Sequence, residues 1–394
     1  MTEMAIPRAT SASYPADEYL PVGLRATPLA ALLAASAAPP ELTAYRGALT
    51  PWEFDAPAKE TAALAFGATV HDLGWLRRVA VRGEDRFRWL SGMVTNTVND
   101  LGVNAGAWNL VLNAQGRIQG DLHVWREGDA LDLEIAANQY ERLLAHLERF
   151  IIMDDVELAP LSPNTIPDAE GELTGETALG LSGRLAGDVL ARLGLPALPE
   201  LLTQARAQWN GAEIRVVRGF GVLAPHYELW TRSSLISPLW QALAEAGAAP
   251  VGAAAVEAFR IAEGIPANGI DIAERDLPQE TSQMRALSFS KGCYLGQEIV
   301  ERIRSRGSVH RQLRQLELDG PLPAPGTELT FQNAAGADAP AGTITSAVEL
   351  PGGLRRLALA MIRGEAELRR QPLTYTVGEG QGSARVLAVP LGLE

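Results

Sequence analysis

Lys291-Gly292-Cys293-Tyr294-Leu295-Gly296-Gln297-Glu298 contains the only cysteine of a 394-residue chain. No generic turn or helix pattern generates such a run. One thiol cannot close an intrachain disulfide; it can act as a nucleophile, a metal ligand or a redox-sensitive group. Lys291 lies two residues upstream, and glycines stand at 292 and 296. The following Gln297-Glu298-Ile299-Val300-Glu301-Arg302-Ile303 reads as a helix, which places Cys293 at or just before a helix N-terminus, where the positive dipole end lowers a thiol pKa. Lys291 and Cys293 are therefore candidate catalytic residues. A lone cysteine is equally readable as a small buried hydrophobe.

Composition narrows the classes. A chain with 47% hydrophobic residues is globular and long enough for two or three domains. Its formal charge of -13 argues against coating nucleic acid. No DNA partner is expected, and RNA finds no support because no aromatics are interleaved with the basic residues. The single cysteine fits a reducing compartment. Met1-Thr2-Glu3-Met4 lacks a basic leader region, and the apolar run Leu29 to Ala38 is too short to span a bilayer, so a cytoplasmic protein with no membrane partner is expected. The rival reading takes Arg25 and Leu29 to Ala35 as a displaced signal sequence. His71, His123, His146, His226 and His310 are scattered without metal-ligand spacing, so no metal is expected. No glycine-rich phosphate or dinucleotide loop follows a predicted strand. A monomer is expected, since no coiled-coil pattern or apolar stripe is left over.

Residues 1–50 are rich in Ala and Pro and read as a flexible arm carrying one short helix. Strands are predicted at Leu76 to Val81, Trp108 to Asn113, Asp121 to Trp125 and Leu131 to Ile135. Helices follow Gly83, with Phe87, Leu90 and Val94 on one face, and run from about Gln139 to Phe150. A second round has strands at Glu213 to Val217 and Tyr227 to Trp230 and a helix around Leu239 to Ala246. This order implies α+β layers. Beyond His310, short strands at Leu313 to Leu318, Gly342 to Ser346, Arg356 to Ile362 and Ala384 to Val389 suggest a small β-barrel or sandwich.

The Lys291 to Glu298 run resembles the signature Lys-Gly-Cys-aromatic-x-Gly-Gln-Glu of the YgfZ-type folate-binding proteins, relatives of the glycine cleavage T protein, an aminomethyltransferase. Arg260-Ile261-Ala262-Glu263-Gly264-Ile265-Pro266, Leu277-Pro278-Gln279-Glu280 and Arg306-Gly307 resemble the family in the expected order. Weaker similarity runs from about Val70 to the C-terminus. The resemblance implies an α+β fold. Two α+β lobes, about 51–165 and 166–310, surround a central folate cavity; residues 1–50 form an extension and 311–394 a C-terminal β-barrel. It also implies a tetrahydrofolate-binding accessory protein for iron–sulfur cluster assembly or repair, with Cys293 as the functional thiol and iron–sulfur client or assembly proteins as partners. The alternative is aminomethyltransferase-like one-carbon transfer to tetrahydrofolate; a third reading is a silent folate sensor.

The resemblance also implies site residues. Asn113 opens the segment that ends in Gly120-Asp121-Leu122, where the transferases carry two aspartates; only the second is kept, as Asp121, a candidate proton carrier and folate ligand. A solvated strand-end carboxylate explains Asp121 as well. Asn138 matches a folate-lining asparagine or caps the following helix. Tyr227 and Glu228 match an aromatic-plus-glutamate pair, although Phe220 to His226 replaces the rest of that signature. Tyr294, Gly296 and Gln297 complete the expected cofactor-binding set. Glu263 stands one residue later than the transferases' pterin-binding glutamate, a turn of about 100° on a helix, so it is expected to point away from the pterin. Arg302, Arg304, Arg306, His310, Arg311 and Arg314 form either a solvated face or a receiver for the γ-linked glutamate tail of folate.

Overall fold

Leu131, Leu133 and Ile135 fall on alternate positions of the strand Ala130–Ala136 and bury in one core with Trp89, Leu90, Leu143 and Leu147. Those four come from the helices Arg86–Met93 and Ala137–Glu148, whose apolar residues recur at helical spacing. The computed structural model describes residues 24–162, 175–307, 309–350 and 355–388. In it Ala130–Ala136 pairs antiparallel with Leu76–Arg82 and Ile118–Glu127, and Gly106–Leu112 and Glu157–Pro160 complete a five-stranded sheet. The second lobe is a six-stranded sheet in the order Thr203–Trp209, Ala212–Arg218, His226–Arg232, Glu176–Ser182, Thr69–Asp72 and Ala249–Pro250. Its core is closed by the helices Ala186–Arg192 and Ile236–Glu245.

Six strands from Arg311–Asp319 to Gly380–Val386 form a closed barrel, which decides between the barrel and the sandwich that the short strands left open and agrees with what the resemblance implies; Val389, the last residue of the expected final strand, lies outside the described residues. The barrel is fastened to the second lobe by Arg260 of the helix Ala253–Ala262. That guanidinium pairs with Asp271 at 2.5 Å and donates to Ser346 Oγ at 2.9 Å, and Ser346 in turn donates to Asp271 at 2.7 Å. The architecture is therefore α+β, two lobes and a barrel.

Two boundaries differ from expectation. Thr69–Asp72 precedes the first sheet in sequence yet lies between Glu176–Ser182 and Ala249–Pro250 in the second. All four of its residues are buried, so it needs neighbours on both edges, and the two lobes interleave there instead of dividing cleanly at 165. Residues 24–50, expected as part of a flexible arm, are folded. The helix Pro28–Ala34 buries Leu29 in the second core and also buries Ala30, and Thr27 caps it by accepting from the Ala30 amide at 3.0 Å. The hairpin of Leu42–Tyr45 and Ala48–Pro51 turns at Arg46-Gly47, both at positive φ, and buries Tyr45 with Trp75, Trp125 and Trp230. Residues 1–23 lie outside the described residues.

Candidate functional site

Strand alternation sends Asp121 and His123 of one lobe, and His226 and Glu228 of the other, to the same central space. That space is a cavity of about 270 Å³ between the lobes. Trp75, Trp108, Phe220 and Phe259 supply flat aromatic walls. At its floor the lobes present matching groups: Trp125 Nε1 donates to Glu134 at 3.0 Å, and Trp230 Nε1 donates to Glu228 at 2.8 Å. Burial, then the charge of Glu228, holds Glu134 well above the usual carboxyl range, and burial raises Glu228 as well. Arg78, the cross-strand partner of Glu134, is fully buried behind the pair and lies 4.9 Å from the Trp230 ring.

Three imidazoles join this space. His123 is stacked between Trp108 and Trp125, and its Nδ1 lies 3.5 Å from Glu134 Oε1. Burial pushes His123 down to about 4, so the contact is between two neutral groups and not an ion pair. His71 Nε2 lies 3.0 Å from Ser182 Oγ, which lies 2.8 Å from His226 Nδ1. The hydroxyl thus donates to one ring and accepts from the other. Burial holds His71 at about 4 and His226 well below its usual value. A β-carbon on Gly180 would lie 1.9 Å from the His71 ring, so only glycine leaves room for it.

Asp121 accepts from Trp108 Nε1 at 2.9 Å and from Gln139 Nε2 at 3.0 Å, and its amide donates to Gln139 Oε1 at 3.0 Å. The Gln139 amide occupies the space beside Gly120: a β-carbon there would lie 2.7 Å from Gln139 Oε1. The missing first aspartate is therefore replaced in space by a neutral amide that ties down the second.

The cysteine segment is elsewhere. Cys293 is exposed and does not line the cavity. Lys291, expected beside the thiol, turns away from it: its ammonium donates to the carbonyls of Ser91, Val94 and Asn96 at 2.6 to 2.9 Å, closing the C-terminal end of the helix Arg86–Met93. Burial lowers this lysine to about 8. Tyr294 is buried with Trp108, Leu112, Ile118 and Val300, and Gln297 Oε1 accepts from its amide at 3.3 Å. Gly296, at φ 81, opens the helix Gln297–Arg306 and lies so close to the Asn113 carbonyl that a β-carbon would meet it at 2.6 Å. The helix is present as predicted, and the signature residues around Cys293 pin an exposed thiol to the tip of the first sheet.

Of the expected folate ligands, Asp121 and Glu228 line the cavity. Tyr227 does not: alternation turns it into the second core, where its hydroxyl meets the Leu198 carbonyl at 3.4 Å. Asn138 neither lines the cavity nor caps its helix; the N-cap is Ala136, and Asn138 donates to the Asn268 carbonyl at 3.2 Å, while Gln139 one position on faces the cavity. Asn113 shapes its own turn, accepting from the amides of Gln115 and Arg117 at 3.0 Å. Tyr294, Gly296 and Gln297 belong to the thiol loop and not to the cavity lining. Glu263 accepts from the amides of Val222, Leu223 and Ala224 at 2.8 to 3.2 Å, facing away from the cavity. Arg311 pairs with Asp276 and Glu280, Arg314 with Glu367, and Arg304 with Glu301, so these members of the basic strip have carboxylate partners within the chain. The Arg306 side chain lies outside the described residues. Sequence reasoning missed His71, His123, Glu134, Gln139, Ser182 and His226; the i, i+2 spacing of Asp121 with His123 and of His226 with Glu228 carried part of that signal. Among the described residues no cluster of His, Cys, Asp and Glu has metal-binding geometry, and no helix is long and apolar enough to cross a membrane.

The family described as the GCVT N-terminal domain matches residues 37–291. An aminomethyltransferase of Thermus thermophilus is 28% identical over 89% of this chain and 92% of its own length. A tRNA-modifying protein YgfZ of Cronobacter sakazakii is 28% identical over 73% of this chain and 82% of its own length. A putative chloroplastic transferase of Arabidopsis thaliana is 25% identical over 79% and 69%. The crystal structure of the glycine cleavage system aminomethyltransferase T from Bartonella henselae superposes with a TM-score of 0.79 at 19% identity, covering 93% of this chain and 98% of that one.

Proposed function

We propose, from the premise that this chain belongs to the GCVT N-terminal domain family, that it binds tetrahydrofolate or a one-carbon derivative in the central cavity without transferring the carbon. The observation that carries this reading is the cavity itself: flat aromatic walls around a floor of uncharged imidazoles and two glutamates, both raised by burial. A pterin is a flat, uncharged heteroaromatic whose edge offers adjacent N–H donors, and Glu228 is the acceptor placed for them. Asp121 supports binding over turnover. Trp108 and Gln139 each donate to one of its oxygens, which holds it as an acceptor at the cavity wall, and a neutral glutamine amide fills the space beside Gly120 where the transferases carry a second aspartate.

The wider role we assign is that of an accessory factor in iron–sulfur cluster assembly or repair, with Cys293 as the thiol offered to a client. What supports it is the contrast between an anchored loop and its exposed sulfur, and the route between the two places. Trp108 walls the cavity and packs in one cluster with Tyr294, the neighbour of Cys293.

Anaerobic calorimetry with tetrahydrofolate tests the first claim. Affinity in the micromolar range or tighter, about -8 kcal/mol or better, is expected, weakened by Asp121→Ala, with no aminomethyl transfer in a coupled glycine-cleavage assay. Absence of binding sinks the folate reading, and turnover sinks the claim of binding alone. For the thiol, Cys293→Ser is expected to fail in restoring iron–sulfur enzyme activity to a deletion strain; full restoration removes Cys293 from the function.

A further inference from the structure

Ser182 stands between two imidazoles, His71 and His226, that both line the cavity, and a glycine makes room for each ring. A β-carbon on Gly180 would meet the His71 ring, and one on Gly219 would lie 2.6 Å from His226 Cδ2. The two rings are nearly parallel, 11° apart with their centres at 5.7 Å. His226 ends the segment Phe220 to His226, where this chain departs from the transferase signature.

The partners decide which nitrogen of each ring carries its proton. Burial keeps both imidazoles neutral at neutral pH, so each has one N–H and one lone pair. His71 Nδ1 is buried with no hydrogen-bond partner, and the adjoining Asp72 carbonyl accepts instead from Trp75 Nε1 at 3.2 Å. A buried N–H without an acceptor costs more than a bare lone pair. The His71 proton therefore stands on Nε2 and is donated to Ser182 Oγ, 3.0 Å away. The hydroxyl has one proton to give, and it goes on to His226 Nδ1 at 2.8 Å. His226 is left with its own proton on Nε2, a nitrogen with no hydrogen-bond partner among the described residues.

This donor has an acceptor for a neighbour. A β-carbon on Gly219 would lie 3.3 Å from His226 Nε2 and 3.4 Å from Glu228 Oε1, so glycine keeps open a corner that both atoms border. One strand supplies the two residues at alternate positions, on the same face. A donor beside a carboxyl acceptor is the complement of a cyclic amide edge, in which N–H is followed by C=O. We propose that His226 is a specificity-determining residue of the cavity: His71 and Ser182 position it as an Nε2–H donor, and that donor, beside Glu228, selects a heteroaromatic ring whose carbonyl adjoins its N–H groups. This rests on the folate reading, which makes the carbonyl that of the pterin. His71 and Ser182 act through His226 and are positioning residues.

The first test needs no ligand. Long-range proton–nitrogen correlation spectra of the full chain at neutral pH, with the His226 signals identified by their loss in His226→Gln, should show its proton on Nε2. Ser182→Ala removes the donor to Nδ1 and should shift the resonance of that nitrogen. A proton on Nδ1 in wild type, or an unmoved Nδ1 resonance in folded Ser182→Ala, overturns the positioning. The second test is calorimetry with tetrahydrofolate and with an analogue that carries an amino group in place of the ring carbonyl. Wild type is expected to favour tetrahydrofolate, and His226→Phe, which keeps a ring in place, should lower the ratio of the two affinities by about tenfold. An unchanged ratio in folded His226→Phe overturns the contact while the folate reading stands. Binding of neither ligand by wild type removes the folate reading and the contact with it.

Discussion

The cavity and the thiol loop share Trp108 and are built in opposite ways. The cavity gathers imidazoles and a buried glutamate and keeps them uncharged. His71 and His123 sit at about 4, and Glu134 is held well above its usual range, all by burial. The loop does the reverse: it spends a lysine, a buried tyrosine and a left-handed glycine on holding a sulfur in contact with solvent. A cavity of this kind recognises by shape and hydrogen bonding. A loop of this kind holds one sulfur atom at the surface.

The largest effect that separates the two regions is acid sensitivity. His71 and His123 are depressed in the fold relative to an unfolded value near 6.5, so the unfolded chain binds more protons and stability falls as pH drops from about 6.5 towards 4. Each imidazole contributes on the order of 3 kcal/mol across that window. Glu134 and Glu228 have the opposite sign, because raised values favour the fold at low pH, but they are two groups against three imidazoles. Urea midpoints between pH 4 and 7 should show the fall, and His123→Gln should reduce its slope. An unchanged slope in that variant would show that His123 already titrates normally in the fold.

Next in size is Gly180→Ala. Its new methyl would meet the His71 ring, and a loss of about 2–3 kcal/mol is expected from overpacking. A melting temperature within a degree of wild type would mean that the His71–Ser182–His226 arrangement is loose. On the loop side, Lys291→Met leaves three carbonyls without their donor and should lose about 1–2 kcal/mol. Its slope against pH between 4 and 6.5 should match wild type, which is what distinguishes a loop variant from a cavity variant. Smallest is Cys293→Ser, expected within about 0.5 kcal/mol because the side chain is exposed. It should leave tetrahydrofolate affinity unaltered in calorimetry, and a loss of affinity would mean that the two regions are one site.

Much of this was legible before the fold was known. Period-2 and period-3.6 patterns located the strand Leu76–Arg82, the helix Ala137–Glu148 and the barrel strands, because each is half-buried and its alternation is local. The helix after Gly296 was legible for the same reason. The hairpin at 42–51 was not, since Ala-rich and Pro-rich residues carry no alternation and its partners Trp75, Trp125 and Trp230 are distant in sequence. Tyr227 and Asn138 show the limit at single-residue scale. Each was placed in the site by its neighbourhood in sequence, yet one position along a strand or helix decides which way a side chain faces, and Glu228 and Gln139 took those places.

The sequence by itself determined the α+β class, the barrel, the family signature and the chemistry available: one thiol, five histidines and an acidic balance. Only the tertiary structure decided that three of those histidines meet two glutamates around one cavity, that Lys291 serves a helix end and not the thiol, and that Thr69–Asp72 belongs to the second sheet. The reason is physical. Residue type and spacing set local conformation, but the protonation state of a side chain depends on which buried surfaces close over it, and those surfaces come from strands more than a hundred residues apart.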